Sequence, residues 1–91
     1  MNIEMKKFGR LLISRPAGKE AFAAAKAYVL KDTNGEEIVL DFEGVDVLSP
    51  SWADEFITGL KELYKGTTVK YLNTDNQSVK DTLKIIGSQA N

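Results

Sequence analysis

The apolar residues of this chain fall into short groups separated by charged and turn-forming positions, and the spacing inside each group predicts its backbone. Ile3 to Met5 and Arg10 to Ser14 read as short strands. The second holds a Leu11-Leu12-Ile13 run whose continuous apolarity fits a strand covered on both faces. A hairpin turn around Lys7 to Gly9 is expected to join them. Arg15-Pro16 then opens a helix, because a proline in the first turn lacks only an N–H that would have had no intrahelical partner. From Ala17 to Leu30, Ala21, Phe22, Ala25, Tyr28 and Val29 recur at helical spacing, with Lys19, Glu20 and Lys26 on other faces. The segment DTNGEE stops that helix, and Asn34-Gly35 suits a turn with positive φ.

Glu37 to Phe42 reads as the central strand, since apolar and β-branched residues follow one another without alternation. After EGVDVL, a helix from Ser51 to about Tyr64 carries Trp52, Ala53, Phe56, Ile57, Leu60, Leu63 and Tyr64 as an inward stripe. Lys65-Gly66 ends it, TTVKYLN returns as a strand, TDNQ forms a loop, and Ser78 to Ile86 makes a last helix facing inward through Val79, Leu83 and Ile86. The order ββαβαβα predicts an α/β fold. A mainly parallel or mixed sheet of about four strands, with an antiparallel element at the start and three helices, follows from right-handed crossovers.

Length and composition narrow what such a fold can do. Ninety-one residues, 43% of them hydrophobic, suit one domain over residues 1–91. Twelve Lys and Arg against thirteen Asp and Glu are interspersed, so no basic face for nucleic acid is expected. The chain has no cysteine and no histidine. Disulfides, thiolate metal sites and thiol nucleophiles are therefore excluded, and the commonest metal ligand and general base are missing. We expect no catalytic residues, no metal and no cofactor. With no signal-peptide pattern and no apolar run of membrane-spanning length, a cytoplasmic protein without membrane association is expected.

The residues LSPSW, where the central strand gives way to a helix, hold the most distinctive chemistry. Ser51 and Asp54 form S-x-x-D, a variant of the capping box. Alternatively Ser49 is the cap and Pro50 occupies the first helical position. Asp54 and Glu55 suit the positive end of the helix dipole. Adjacent positions on a helix diverge too far for them to share a substrate. Trp52 is either a core lid or an exposed anchor for a partner, and its stripe with Phe56 and Leu60 favours the core. Asp41 interrupts the central strand and calls for a partner, either Arg15 or a neighbouring turn. Arg15 stands at a strand-to-helix junction, where an anion could meet its guanidinium and a helix N-terminus; an ion pair to Asp41 or Glu43 is the simpler expectation.

The blocks IVLDFEGVDVLSPSWADEFITGL and YLNTDNQSVKDTLKIIG resemble the STAS superfamily, the fold of bacterial anti-sigma factor antagonists. More narrowly, SR before the first helix, with VLDFEGV and ADEF, is similar to uncharacterised bacterial STAS-like domains. The resemblance covers roughly Leu11 to Ile86. It implies a non-catalytic regulatory domain that docks on a protein, either a histidine-kinase-like ATPase or a transcriptional regulator. In the best-known branch the loop after the central strand reads Asp-Ser-Ser-Gly, and a kinase phosphorylates its first serine. Aligned without gaps, that tetrad falls on Ser49, Pro50, Ser51 and Trp52. The phosphoacceptor position is Pro50, which has no hydroxyl, so the switch does not carry over as it stands. Ser51, and Ser49 beside it, are the candidate phosphoacceptors.

On this reading the partner-binding residues are Val47, Ser49, Ser51, Trp52 and Glu55. The alternative is a sensor of small anions or nucleotides, at the helix N-termini near Arg15 and Ser51.

Overall fold

A computed structural model describes residues 1–28, 30 and 37–89 of the chain. Strand β1 (Asn2–Glu4) passes through a 3-10 turn at Met5–Phe8 into β2 (Leu11–Leu12), and helix α1 (Arg15–Tyr28) follows. Strands β3 (Ile38–Asp41) and β4 (Val47–Leu48) precede helix α2, residues 50–63. Strand β5 (Val69–Leu72) and helix α3 (Gln77–Gln89) complete the order. β3 is the middle strand of a three-stranded sheet, parallel to β1 on one side and to β5 on the other, with Ile3, Leu40 and Tyr71 in register. β2 and β4 form a second, two-stranded parallel pair in which Leu11 faces Val47 and Leu12 faces Leu48.

The α/β architecture, the parallel sheet and the three helices match the expectation; the start of the chain does not. Ile3 to Met5 and Arg10 to Ser14 do not form a hairpin, and no antiparallel pair occurs among the described residues. Met5 is fully buried, so the chain is pinned to the core where a hairpin would need it to reverse. It steps over in the 3-10 turn and leaves at Gly9, whose φ of 127° a side chain would disfavour. β4 was not anticipated, because two residues are too few to show a period. The turn expected at Asn34-Gly35 and the inward position expected at Val29 lie outside the described residues.

Ile3, Ile38, Leu40 and Phe42 are buried and join the core shared with the helices. Alternate residues of β3, Val39 and Asp41, are only half-buried, so the strand is covered on one face more fully than its unbroken apolarity suggested. The same holds for β2: Leu12 is 1% exposed, but Leu11 is 60% and Ile13 48% exposed, against the expectation of cover on both faces. Among the described residues β4 is the strand that pairs with β2, and Leu11, Ile13 and Val47 are left exposed on the side away from the core.

α2 is α-helical over Pro50–Ala53, a π-helix over Asp54–Thr58 and α-helical again over Gly59–Leu63. The i→i+5 bonds of the middle stretch widen the turn and cancel the drift that residues four apart normally show. Trp52, Phe56 and Leu60 are consequently all buried, and Tyr64, four residues further, packs on the core. Leu63, expected inward, is 50% exposed. Tyr28, expected inward at the end of α1, is 87% exposed. An aromatic cluster binds the 3-10 turn and both helices together. Trp52 stacks on Phe56 at 5.1 Å, Phe8 lies 5.1 Å from Phe56, and Phe22 meets Phe56 edge-on at 6.0 Å.

α1 and α2 approach at two glycines. A Cβ on Gly18 would stand 2.6 Å from the carbonyl oxygen of Trp52 and 2.9 Å from its Cα; one on Gly59 would stand 2.9 Å from the Phe22 ring. At Gly18 the obstacle is backbone and cannot rotate away. Gly18→Ala is therefore expected to destabilise the fold by roughly 2 kcal/mol or more, as overpacking does. Gly87→Ala, where a Cβ meets nothing within 4 Å, should instead be neutral or stabilising by up to about 1 kcal/mol. Urea unfolding of the two variants checks both values.

Candidate functional site

The site is built where β3 and β4 end. Asp41 closes β3 by accepting a hydrogen bond from the Glu43 N–H at 3.0 Å and another from Asn73 Nδ2 at 2.7 Å. Asp41 thus caps a turn, the second of the two partners expected for it. The Asn73 bond first, and the Glu43 N–H second, hold its carboxyl below the usual range. The following turn brings Val45 back into the core and sends the chain into β4. The Arg10 guanidinium meets the Asp46 carboxylate at 2.9 and 3.3 Å, tying the start of β4 to the start of β2.

Among the described residues β4 has a strand on one side only, and α3 supplies the other. The Leu48 N–H donates to Ser78 Oγ at 3.0 Å. The Leu48 carbonyl accepts from Ser78 Oγ at 3.3 Å and from Thr82 Oγ1 at 2.5 Å. Asn76 adds a third tie: its Nδ2 donates to the Asp46 carbonyl at 2.9 Å while its Oδ1 accepts from the Val79 N–H at 3.1 Å at the start of α3. Thr82 is 3% exposed, so its hydroxyl needs a partner, and the Leu48 carbonyl, shared with Ser78, is that partner. The sequence reading missed these residues. Their signal is a serine and a threonine four apart on one face of a helix, with Thr82 among Val79, Leu83 and Ile86.

Beyond β4, Ser49 adopts extended backbone and its Oγ accepts from the Trp52 N–H at 3.2 Å, with Pro50 in the first helical position. Of the two caps open to the sequence, Ser49 is the one used. Asp54 does not reach back to Ser51 in a capping box; its carboxylate takes Arg15 Nη1 at 2.8 Å and Thr58 Oγ1 at 3.0 Å. Arg15 Nη1 also meets Glu55 Oε1 at 3.0 Å. The ion pair expected from Arg15 to Asp41 or Glu43 is therefore made to Asp54 and Glu55 instead. The close approach at Gly18 sets the first turn of α1 against the first turns of α2, while Asp41 is engaged by Asn73. The Arg15 bond first, and Thr58 second, lower the Asp54 carboxyl, and the same two carboxylates raise Arg15.

The five residues assigned to partner binding thus occupy one rim at different depths. Val47 is 37% exposed and Ser49 and Ser51 are half-buried. Glu55 is partly exposed and held by Arg15. Trp52, at 2% exposure, lies beneath the rim and supports it as a core residue. Asp54 is held as a carboxylate, which suits pairing and not proton donation. No group of three His, Cys, Asp or Glu residues able to hold a metal occurs among the described residues. No helix among them is long and apolar enough to cross a membrane.

A small α/β domain with a parallel sheet and a rim at the end of its central strand is the class of protein these features define. Residues 21–89 match the family model described as a STAS-like domain of unknown function (DUF4325), and the chain belongs to that family. No curated protein and no solved structure matches it.

Two sets of measurements test the local account. Ser49→Ala is expected to cost about 1 kcal/mol of unfolding free energy and Ser51→Ala close to nothing, whereas Thr82→Val should cost roughly 1–3 kcal/mol. Equal losses for the two serines would refute the cap assignment. Asp54 has a lowered carboxyl pKa in the folded state, so its contribution is complete above the unfolded value of about 3.9 and is lost as pH falls through the folded value. Asp54→Asn is therefore expected to lower stability at neutral pH and to flatten the acid limb below about pH 4, read by urea unfolding across that range.

Proposed function

We propose that this STAS-like domain is a non-catalytic regulatory module of the cytoplasm, docking on a protein partner through residues 47–55 in the manner of anti-sigma factor antagonists. The observation that supports it is the exposure of Val47 beside Leu11 and Ile13 at the lip of a rim whose backbone is fixed from below. Apolar residues on a rigid, capped element form a contact surface at small entropic cost. The absence of cysteine and histidine from the chain adds support for a role without chemistry. A histidine-kinase-like ATPase or a transcriptional regulator is the kind of partner this reading takes, and no nucleic acid or membrane is required. Phosphate on Ser51 or Ser49 belongs to the same reading as its regulation. On Ser51 it would stand one turn from Asp54 and Glu55, the two carboxylates that Arg15 binds. The small-anion alternative gains little, because an anion at Arg15 must displace both carboxylates.

Tagged protein recovered from its own cells is expected to bring the partner with it. Val47→Asp and Ser51→Arg should each lose that partner while unfolding at an unchanged midpoint, and intact-mass spectra of the recovered protein report any phosphate. Retention of the partner by both variants would sink the proposal.

A further inference from the structure

β2 is an edge strand with an open side. The Asp46 and Val47 N–H groups donate to the Arg10 carbonyl at 2.8 and 3.1 Å, and the Ser49 N–H donates to the Leu12 carbonyl at 2.9 Å. In a parallel ladder, alternate residues turn their backbone groups to opposite sides, so Leu11 and Ile13 point theirs away from β4. No strand covers that side among the described residues. Open edges are usually guarded by a charge, a proline or a bulge. Here the exposed side chains are Leu11 and Ile13, and the neighbouring Arg10 is drawn off to Asp46. Next to the edge, a groove of about 270 Å³ runs between the 3-10 turn and α1, floored by Phe8, Leu11, Ala21 and Trp52. Glu20 stands at its border, exposed and, among the described residues, without an ion pair.

We infer that β2 accepts an extended segment of a partner protein as an added strand. An apolar side chain of the segment enters the groove, and a lysine or arginine two residues along, on the same face of the added strand, meets Glu20. The inference rests on the docking reading above and names its mode. Main-chain bonds to Leu11 and Ile13 supply affinity, and the groove with its carboxylate supplies selection. A peptide fits better than a second copy of this chain. Three partly exposed side chains and a narrow groove offer only a fraction of the about 800 Å² per partner that a standard interface buries.

The test uses the full chain and a fluorescein-labelled synthetic peptide that carries leucine and lysine by turns along one strand face, two residues apart, with threonine on the other face, and a control in which glutamate replaces lysine. Anisotropy is expected to show saturable binding of the lysine peptide, with the control weaker by about tenfold or more. Ile13→Pro removes an N–H on the open side without touching the pairing to β4, and Glu20→Lys reverses the border charge. Each should weaken binding by about tenfold or more, and amide exchange at Leu11 and Ile13 should slow in the complex. Absence of saturable binding, or binding indifferent to both variants, would overturn the inference. So would a concentration-dependent dimer, seen by sedimentation and abolished by Ile13→Pro, which would assign the edge to a second copy. If the native partner is still lost with Ser51→Arg in any of these cases, the docking role stands and only the strand-addition mode falls.

Discussion

The fold depends on how closely α1 can approach α2. Two helices normally keep their axes apart by the width of their side chains, but here Gly18 rests directly on the backbone of Trp52, and Gly59 admits the ring of Phe22. That approach stacks Trp52, Phe56 and Phe8 into one aromatic body and leaves the indole buried. It also brings Arg15 within hydrogen-bond distance of Asp54 and Glu55. These ion pairs are largely exposed, and they orient the start of α2 more than they stabilise it.

A second constraint acts through α3. A two-residue strand cannot hold its own position, and among the described residues β4 has a strand partner on one side only. Ser78, Thr82 and Asn76 take the place of the missing strand, meeting the free N–H and C=O of Leu48 and the carbonyl of Asp46. Because Leu48 immediately precedes the Ser49 cap, α3 sets the starting point of α2 and hence the height of the rim. An event that loosens α3 would therefore release β4 and the rim together.

The chain belongs to the STAS-like family, and its own sheet is parallel, with the rim following the central strand. The rim here departs from the phosphoswitch of the best-known branch. Pro50 stands where the hydroxyl would be, and the flanking Ser49 is occupied in capping. What remains exposed is an apolar lip, Leu11, Ile13 and Val47, on a backbone that is already ordered. On the docking proposal, such a surface would select by shape and main chain, and a phosphate on Ser51 would act on it from the neighbouring turn.

The sequence by itself determined the element types, the α/β class, the central place of IVLD and most of the inward positions, since those follow from local period and composition. It also limited the chemistry, because missing cysteine and histidine cannot be supplied by folding. The site was legible as a place, LSPSW at a helix start, and its cap was narrowed to two serines. Tertiary structure decided the rest. Whether β1 and β2 pair with each other or with β3 and β4 depends on a buried Met5 far from those partners in sequence. The choice of Asp54 and Glu55 over Asp41 for Arg15 depends on a helix crossing at a glycine, and the depth of Trp52 on the same contact. The π-helix turned Leu63 outward by a change in hydrogen-bond step that no hydrophobic pattern records. The clamp on Leu48 joins residues about thirty positions apart through side chains that also suit a plain helix start. Local periodicity is blind to such pairings because each is chosen by the packing of whole elements.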